Sequence, residues 1–381
     1  MAVETTKVVP LTCHGHSRPV THLSFSFLDD ASSAAAAAEN PTYYLISACK
    51  DNNPMLRDGV TGDWIGTFIG HKGAVWQARL SSDASLAATG SADFSAKVWD
   101  THSGEGLCTL AHNHIVRAVA FPPSVGRPTT LATGGPEKKL RVFDLSRATA
   151  AAAAPSTPNG VTADGSTASS PTAGGGSGGN GAAPAAAGVT NAATDAAVAQ
   201  SAYEVGAGTH GGTIKSIVWA DDNVLVTAAD DKKVRWWDLR ARRAVADFAV
   251  DGTVGSCELN AVESGPPGTL SVAAGKSAYF FDGAAPARLV KKVDCVSGGS
   301  GEVASVAMHP GGKKFVTGAT GDTWVRVWDF DEEKEIEIGK GHHGPIWSVS
   351  FSPDGKIYAT GSEDGTIKLW KFTTGPYGLW R

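Results

Sequence analysis

One three-residue ending recurs along this chain at a nearly constant interval. Leu56-Arg57-Asp58, Val98-Trp99-Asp100, Val142-Phe143-Asp144, Trp236-Trp237-Asp238, Phe280-Phe281-Asp282, Val327-Trp328-Asp329 and Leu369-Trp370-Lys371 fill the same slot. Successive aspartates are 42, 44, 94, 44 and 47 residues apart. A unit of that size cannot bury its apolar face alone, so the chain must stack units side by side. The single long interval contains residues 148–200, mostly Ala, Gly, Ser, Thr, Pro and Asn with a few Val, and with only Asp164 and Asp195 charged. Setting those 53 residues aside returns the interval to 41.

Each unit carries further matching parts. Gly15-His16, Gly70-His71 and Gly341-His342 open three units, with weaker versions at Ala111-His112 and Thr209-His210. An alternating segment follows, such as Val75-Trp76-Gln77-Ala78-Arg79-Leu80, and then a small-residue segment such as Leu86-Ala87-Ala88-Thr89-Gly90-Ser91. An acid sits six positions before the aromatic slot: Asp51, Asp93, Glu137, Asp231, Asp322 and Asp364, with Gly275 in the fifth unit. Period-two alternation bounded by Gly and Asp turns signals short strands joined by hairpins. Seven such units of four strands predict an all-β fold, a seven-bladed WD-repeat β-propeller.

Lys7–Leu11 precedes the first Gly-His as an unpaired strand-like piece, so residues 5–12 are expected to complete the last blade. Joining both chain ends in one sheet removes an exposed edge. The expected organisation is residues 1–147 as blades one to three, 148–200 as a disordered low-complexity insertion, and 201–381 as blades four to seven with a C-terminal tail. Pro155 follows the Ala150–Ala154 run too soon for a helix to nucleate there. Ala31–Asn40 reads as a second, smaller insertion.

Composition removes several function classes. The net charge of −5 argues against non-specific phosphate-backbone binding, which needs excess Lys and Arg, and no direct sequence-specific nucleic-acid contact is expected. No apolar run reaches about 18 residues, so no membrane-spanning helix is expected. Met1–Lys7 shows no basic stretch followed by an apolar one, so no secretory signal is visible. The five cysteines are far apart and lack Cys-x-x-Cys spacing, so reduced thiols in a cytoplasmic and nuclear protein are expected. His14/His16, His112/His114 and His342/His343 have no Cys or acidic partner at ligand spacing, and neither a metal nor any other cofactor is expected.

Two constellations stand out. His71, Asp93 and Trp99 with Thr89 or Ser91, and His342, Asp364 and Trp370 with Thr360 or Ser362, combine the residue types of a serine hydrolase. Asp231 with Trp237 and Asp322 with Trp328 repeat part of the set. An enzyme needs one activated nucleophile in one cleft; a set recurring in several blades reads as a structural hydrogen-bond network instead. The second constellation lies five residues after each Gly-His histidine, near one rim of the channel: Thr21, Trp76, Arg117, Lys215 and Trp347, with Ser256 and Ser305 in the equivalent slots. Lys50 and Glu363 fall on the same face. Trp and Arg are common interface anchors, so this annulus is the expected partner-binding face of a monomeric propeller.

Longer strings go beyond the repeat. Leu45-Ile46-Ser47-Ala48-Cys49-Lys50-Asp51, Thr61-Gly62-Asp63-Trp64-Ile65-Gly66-Thr67-Phe68, Gly70-His71-Lys72-Gly73-Ala74-Val75-Trp76 and Tyr377-Gly378-Leu379-Trp380 resemble the serine-threonine kinase receptor-associated (unr-interacting) family of WD-repeat proteins. Arg57 in place of the first Trp belongs to that pattern. The resemblance implies a non-enzymatic scaffold in the survival-of-motor-neuron (SMN) complex, assisting Sm-core assembly on spliceosomal small nuclear RNAs. It implies Gemin-like and Sm proteins as partners, together with receptor kinases in signalling and an RNA-binding cold-shock protein. The alternative is subunit i of translation initiation factor three, a WD-repeat protein with similar first blades.

Overall fold

A computed structural model describes residues 9–27, 42–123, 126–153, 192–260, 268–296 and 301–380. Among them, seven four-stranded antiparallel sheets form the blades of a closed β-propeller. In blade 2 the order from the channel outward is Val75–Leu80, Leu86–Ser91, Ser95–Asp100 and Gly106–Ala111. The alternation read from the sequence sets this geometry, because period-two side chains pack both faces of each sheet against neighbouring blades. Seven apolar clusters fill the seven junctions.

The ring closes in blade 7. Leu11–Cys13 pairs antiparallel with Ile367–Lys371, Leu11 opposite Leu369 and Cys13 opposite Ile367. The closing strand is therefore Leu11–Cys13, a little later than the expected 5–12, and residues 5–8 lie outside the described residues. Behind it, Cys13, Val20, Leu45, Ile357, Leu369 and Trp380 form the junction between blades 7 and 1.

Blade 3 corrects the expected boundaries. Its outer strand is Tyr203–Val205, paired with Leu140–Asp144. The insertion thus lies within blade 3, and residues 203–205 belong to that blade and not to the fourth. Parts of 148–200 are helical: α1 spans Ser146–Ala153 and α2 spans Ala192–Gln200. Asp144 caps α1 by accepting the Ser146 N–H at 2.8 Å. Buried Ala148 and Val198 add the helices to the junction of blades 2 and 3. Asp195 accepts the Thr109 N–H at 2.7 Å, covering part of blade 2's outer edge. Packing against an existing sheet supplies the stabilisation that the short Ala run lacks alone. Residues 154–191 and the Ala31–Asn40 insertion lie outside the described residues. Among those described, no helix is long and apolar enough to cross a membrane.

Candidate partner interface at the channel rim

The repeated polar set is locked into the sheets. In blade 2, His71 Nδ1 lies 2.8 Å from Asp93, His71 Nε2 lies 2.7 Å from Thr89 Oγ1, and Trp99 Nε1 donates to that oxygen at 2.8 Å. Blade 7 repeats this, with His342 3.1 Å from Asp364 and 2.8 Å from Thr360, and Trp370 donating at 2.8 Å. The hydroxyl is threonine in both; Ser91 and Ser362 instead donate to the carbonyls of Gly73 and Gly344. Gly70 has φ +154° with the Trp99 ring 3.2 Å from where a Cβ would stand, which is why glycine precedes the histidine.

Burial alone would raise the Asp93 carboxyl. Hydrogen bonds from His71 and Ser95 overcome that and hold it well below the ordinary carboxylate value. Burial likewise opposes ionisation of Asp364, yet hydrogen bonds from the His343 N–H and Thr366 hold it at about 2. Asp93→Ala strands these donors and is expected to cost about 1–3 kcal/mol in chemical denaturation. Asp247→Ala, which removes an exposed ion pair with Lys233, serves as the near-silent control.

Other blades replace the histidine contact. Arg141, Arg235 and Arg326 each sit four residues after the turn acid and pair with Glu137, Asp231 and Asp322. In blade 4, His210 Nδ1 faces Arg235 at 3.2 Å and not Asp231, while Trp237 still donates to Thr227 at 2.8 Å. In blade 6, Trp328 donates to Thr317 at 2.9 Å. In blade 1, His16 reaches Asp51 and Ser47, and buried Arg57 fills the Trp slot, donating to the carbonyls of Gly62 and His14. An Arg four positions after the acid, where blades 2 and 7 have Lys97 and Lys368, is the sequence signal for this exchange.

His16, Cys49 and Asp51 approach within 4.8 Å of one another. Both His16 nitrogens are already engaged, and the Cys49 thiol donates to the Arg18 carbonyl. Burial pushes that thiol up to about 12, so it keeps its proton.

The inner strands show why certain side chains reach the rim. In blades 1, 2, 4, 5, 6 and 7, the pairing of inner strand with its neighbour slips by one residue near the start. The unpaired residues are Thr21, Trp76, Lys215, Gly255, Ala304 and Trp347; such a bulge re-aims a side chain out of the ladder. Arg117 directly precedes blade 3's inner strand, Ala118–Ala120. Blades 5 and 6 thus offer Gly255 and Ala304, not Ser256 and Ser305, which stand one residue further in. The two units lack the Gly-His landmark, and the slot shifted by one.

Thr21, Trp76, Arg117, Lys215 and Trp347 line one small cavity at the channel mouth. The Arg117 guanidinium lies 4.2 Å from the Trp76 ring centroid, and the Lys50 ammonium 5.8 Å from it. Lys50 also meets Glu363 at 3.9 Å, Lys215 meets Asp230 at 3.3 Å, and Trp347 Nε1 donates to Glu363. Trp347 is 37 % exposed. Thr21 differs from the others: its hydroxyl donates to the Val75 carbonyl at 2.7 Å, tying blade 1 to blade 2.

Just inside the rim, polar side chains staple each blade to the next. Gln77 accepts the Val119 N–H, Ser256 that of Val306, Ser305 that of Val349 and Ser348 that of Leu23. Deeper still, Arg79 and Glu258 form a two-pronged ion pair at 2.6 and 2.8 Å, and His22 joins Glu258 at 3.2 Å. This cluster joins blades 1, 2 and 5 across the channel. Sequence reading missed it, because nothing local marks Arg79 and Glu258 as partners.

Similarity to known proteins agrees with this architecture. Residues 62–100, 207–238, 291–329 and 333–371 match the family model described as WD domain, G-beta repeat. The serine-threonine kinase receptor-associated protein of Gallus gallus is 38 % identical over 98 % of this chain and 85 % of its own. That of Dictyostelium discoideum is 36 % identical over 95 % and 98 %. Eukaryotic translation initiation factor 3 subunit I of Culex quinquefasciatus is more distant, 25 % identical over 84 % and 97 %. With a closed propeller, a rim of Trp and Arg side chains, and identity above a third along nearly its whole length, the chain belongs to the family of serine-threonine kinase receptor-associated proteins, WD-repeat scaffolds.

Proposed function

We propose that this chain is a scaffold subunit of the SMN complex that assists Sm-core assembly on spliceosomal small nuclear RNAs, working in the cytoplasm and nucleus. The observation that carries this reading is the near-full-length likeness to the family, together with the strings that go beyond the repeat grammar. The propeller contributes a rigid platform; Gemin-like and Sm proteins dock on the rim around Trp76, Arg117 and Trp347, and the RNA is reached through them. A second role, contact with serine-threonine kinase receptors, is favoured by the name of the relatives.

Affinity purification from the native organism with mass spectrometry tests the proposal. Recovery of Sm and Gemin-like proteins from both cytoplasmic and nuclear fractions supports it. Recovery of receptor kinases without any Sm protein would replace the first reading with the second. Recovery of small ribosomal subunits would point to the translation-factor alternative.

A further inference from the structure

Among the described residues that line the channel mouth, charges cancel in pairs except at Arg117. Lys50 has Glu363, Lys215 has Asp230, and Arg79 has Glu258. Arg117 is left over. Among the described residues its guanidinium makes no hydrogen bond or ion pair; it rests on the Trp76 ring. Its Nε is buried without a partner, and so is Trp76 Nε1. Burial lowers the Arg117 pKa, the nearby charge of Asp230 only partly opposing this. Holding a partly desolvated cation without an anion works against the folded state, and such groups concentrate where proteins recognise something.

The surroundings say what would fit. Ser256 and Ser305 accept backbone N–H groups and retain their own O–H to donate. Gly255 lines the same cavity as Arg117 and puts no side chain into it. A donor-rich site with one surplus positive charge suits a monoanion. A phosphate, at about −1.5 to −2 near neutral pH, would exceed that surplus and face Glu258, Asp230 and Glu363.

We propose that the channel mouth binds one carboxylate side chain of an extended acidic peptide segment, received by Arg117 over the Trp76 ring. A guanidinium fork matches a carboxylate through two parallel N–H···O bonds. This deepens the docking role of the rim and does not depend on which complex the chain joins.

The test is an NMR titration of the full chain carrying 15N-labelled tryptophan. The Trp76 indole signal is assigned by its loss in Trp76→Phe. Acetylated, amidated hexaglutamate is expected to shift that signal saturably, whereas hexaglutamine of the same form leaves it in place. Arg117→Met is expected to weaken the glutamate peptide at least ten-fold without lowering the thermal midpoint, since it removes an unpaired cation. Arg117→Lys, which keeps the charge and loses the fork, is expected to weaken it at least three-fold.

Equal binding of hexaglutamine would overturn the proposal, as would wild-type affinity in both Arg117 variants. Tighter binding of a hexapeptide carrying one phosphoserine would overturn the choice of carboxylate. A large fall in thermal midpoint for both variants would make Arg117 a structural prop, also contrary to the proposal. Because the peptides are synthetic, their failure leaves the rim and the SMN reading to be judged separately by partner capture.

Discussion

Removing residues 1–13 is expected to lower the thermal midpoint by roughly 5–10 °C, although only a chain end is lost. Leu11, Thr12 and Cys13 supply the outer strand of blade 7. Cys13 packs with Leu369 and Trp380, Lys368 donates to Thr12 at 2.7 Å, and Trp380 Nε1 donates to the Val9 carbonyl at 3.0 Å. Uncovering roughly 150–200 Å² of apolar surface at about 25 cal/mol per Å² amounts to about 4–5 kcal/mol. The strand Ile367–Lys371 would also become an open edge, so concentration-dependent aggregation should accompany the loss. Differential scanning fluorimetry and light scattering check both effects. An unchanged midpoint would mean that the ring does not depend on this closure.

Glu258→Ala is expected to destabilise the propeller by up to about 3 kcal/mol, because it leaves the largely shielded Arg79 charge unpaired. The double variant Arg79→Met with Glu258→Leu should recover most of that, since replacing both partners removes the stranded charge. Failure of the double variant to recover would show that Glu258 acts through something other than Arg79. Acid should probe the same cluster. Burial would raise the Glu258 carboxyl, but the Arg79 charge and the His22 hydrogen bond hold it at about 2.

A carboxyl depressed in the folded chain stabilises fully above its unfolded value. For Glu258 that contribution is lost as pH falls from 4.5 toward about 2. Asp51 and Asp364, also held at about 2, add to the same window. His210 acts earlier. Burial and the Arg235 charge hold it at about 4, so below 6.5 the unfolded chain takes up a proton that the folded chain does not. The thermal midpoint should therefore decline from about pH 6.5 downward and more steeply below about 4.5. Removing Glu258 should make the steep limb shallower.

The repeat interval, the strand alternation and the turn acids were legible because each is a local spacing. The rim positions Trp76, Arg117, Lys215 and Trp347 were legible for the same reason, being counted from a nearby histidine. Where that histidine is missing, in blades 5 and 6, the count slipped onto Ser256 and Ser305. Helices α1 and α2 were hidden because their stability comes from Ala148 and Val198 packing on blades 2 and 3. The outer strand Tyr203–Val205 was hidden because the insertion separates it from its own blade. The Arg79–Glu258 pair joins positions 179 residues apart, brought together only by ring closure across the axis.

The central claim is that a rigid ring presents its Trp-bearing rim to other proteins. It is tested most directly by Trp76→Ala combined with Trp347→Ala, measuring partner capture from native lysate beside the thermal midpoint. Loss of two rim anchors predicts capture weakened by about thirty-fold or more, with a midpoint close to that of the unaltered chain. Undiminished capture by a folded double variant would contradict the account.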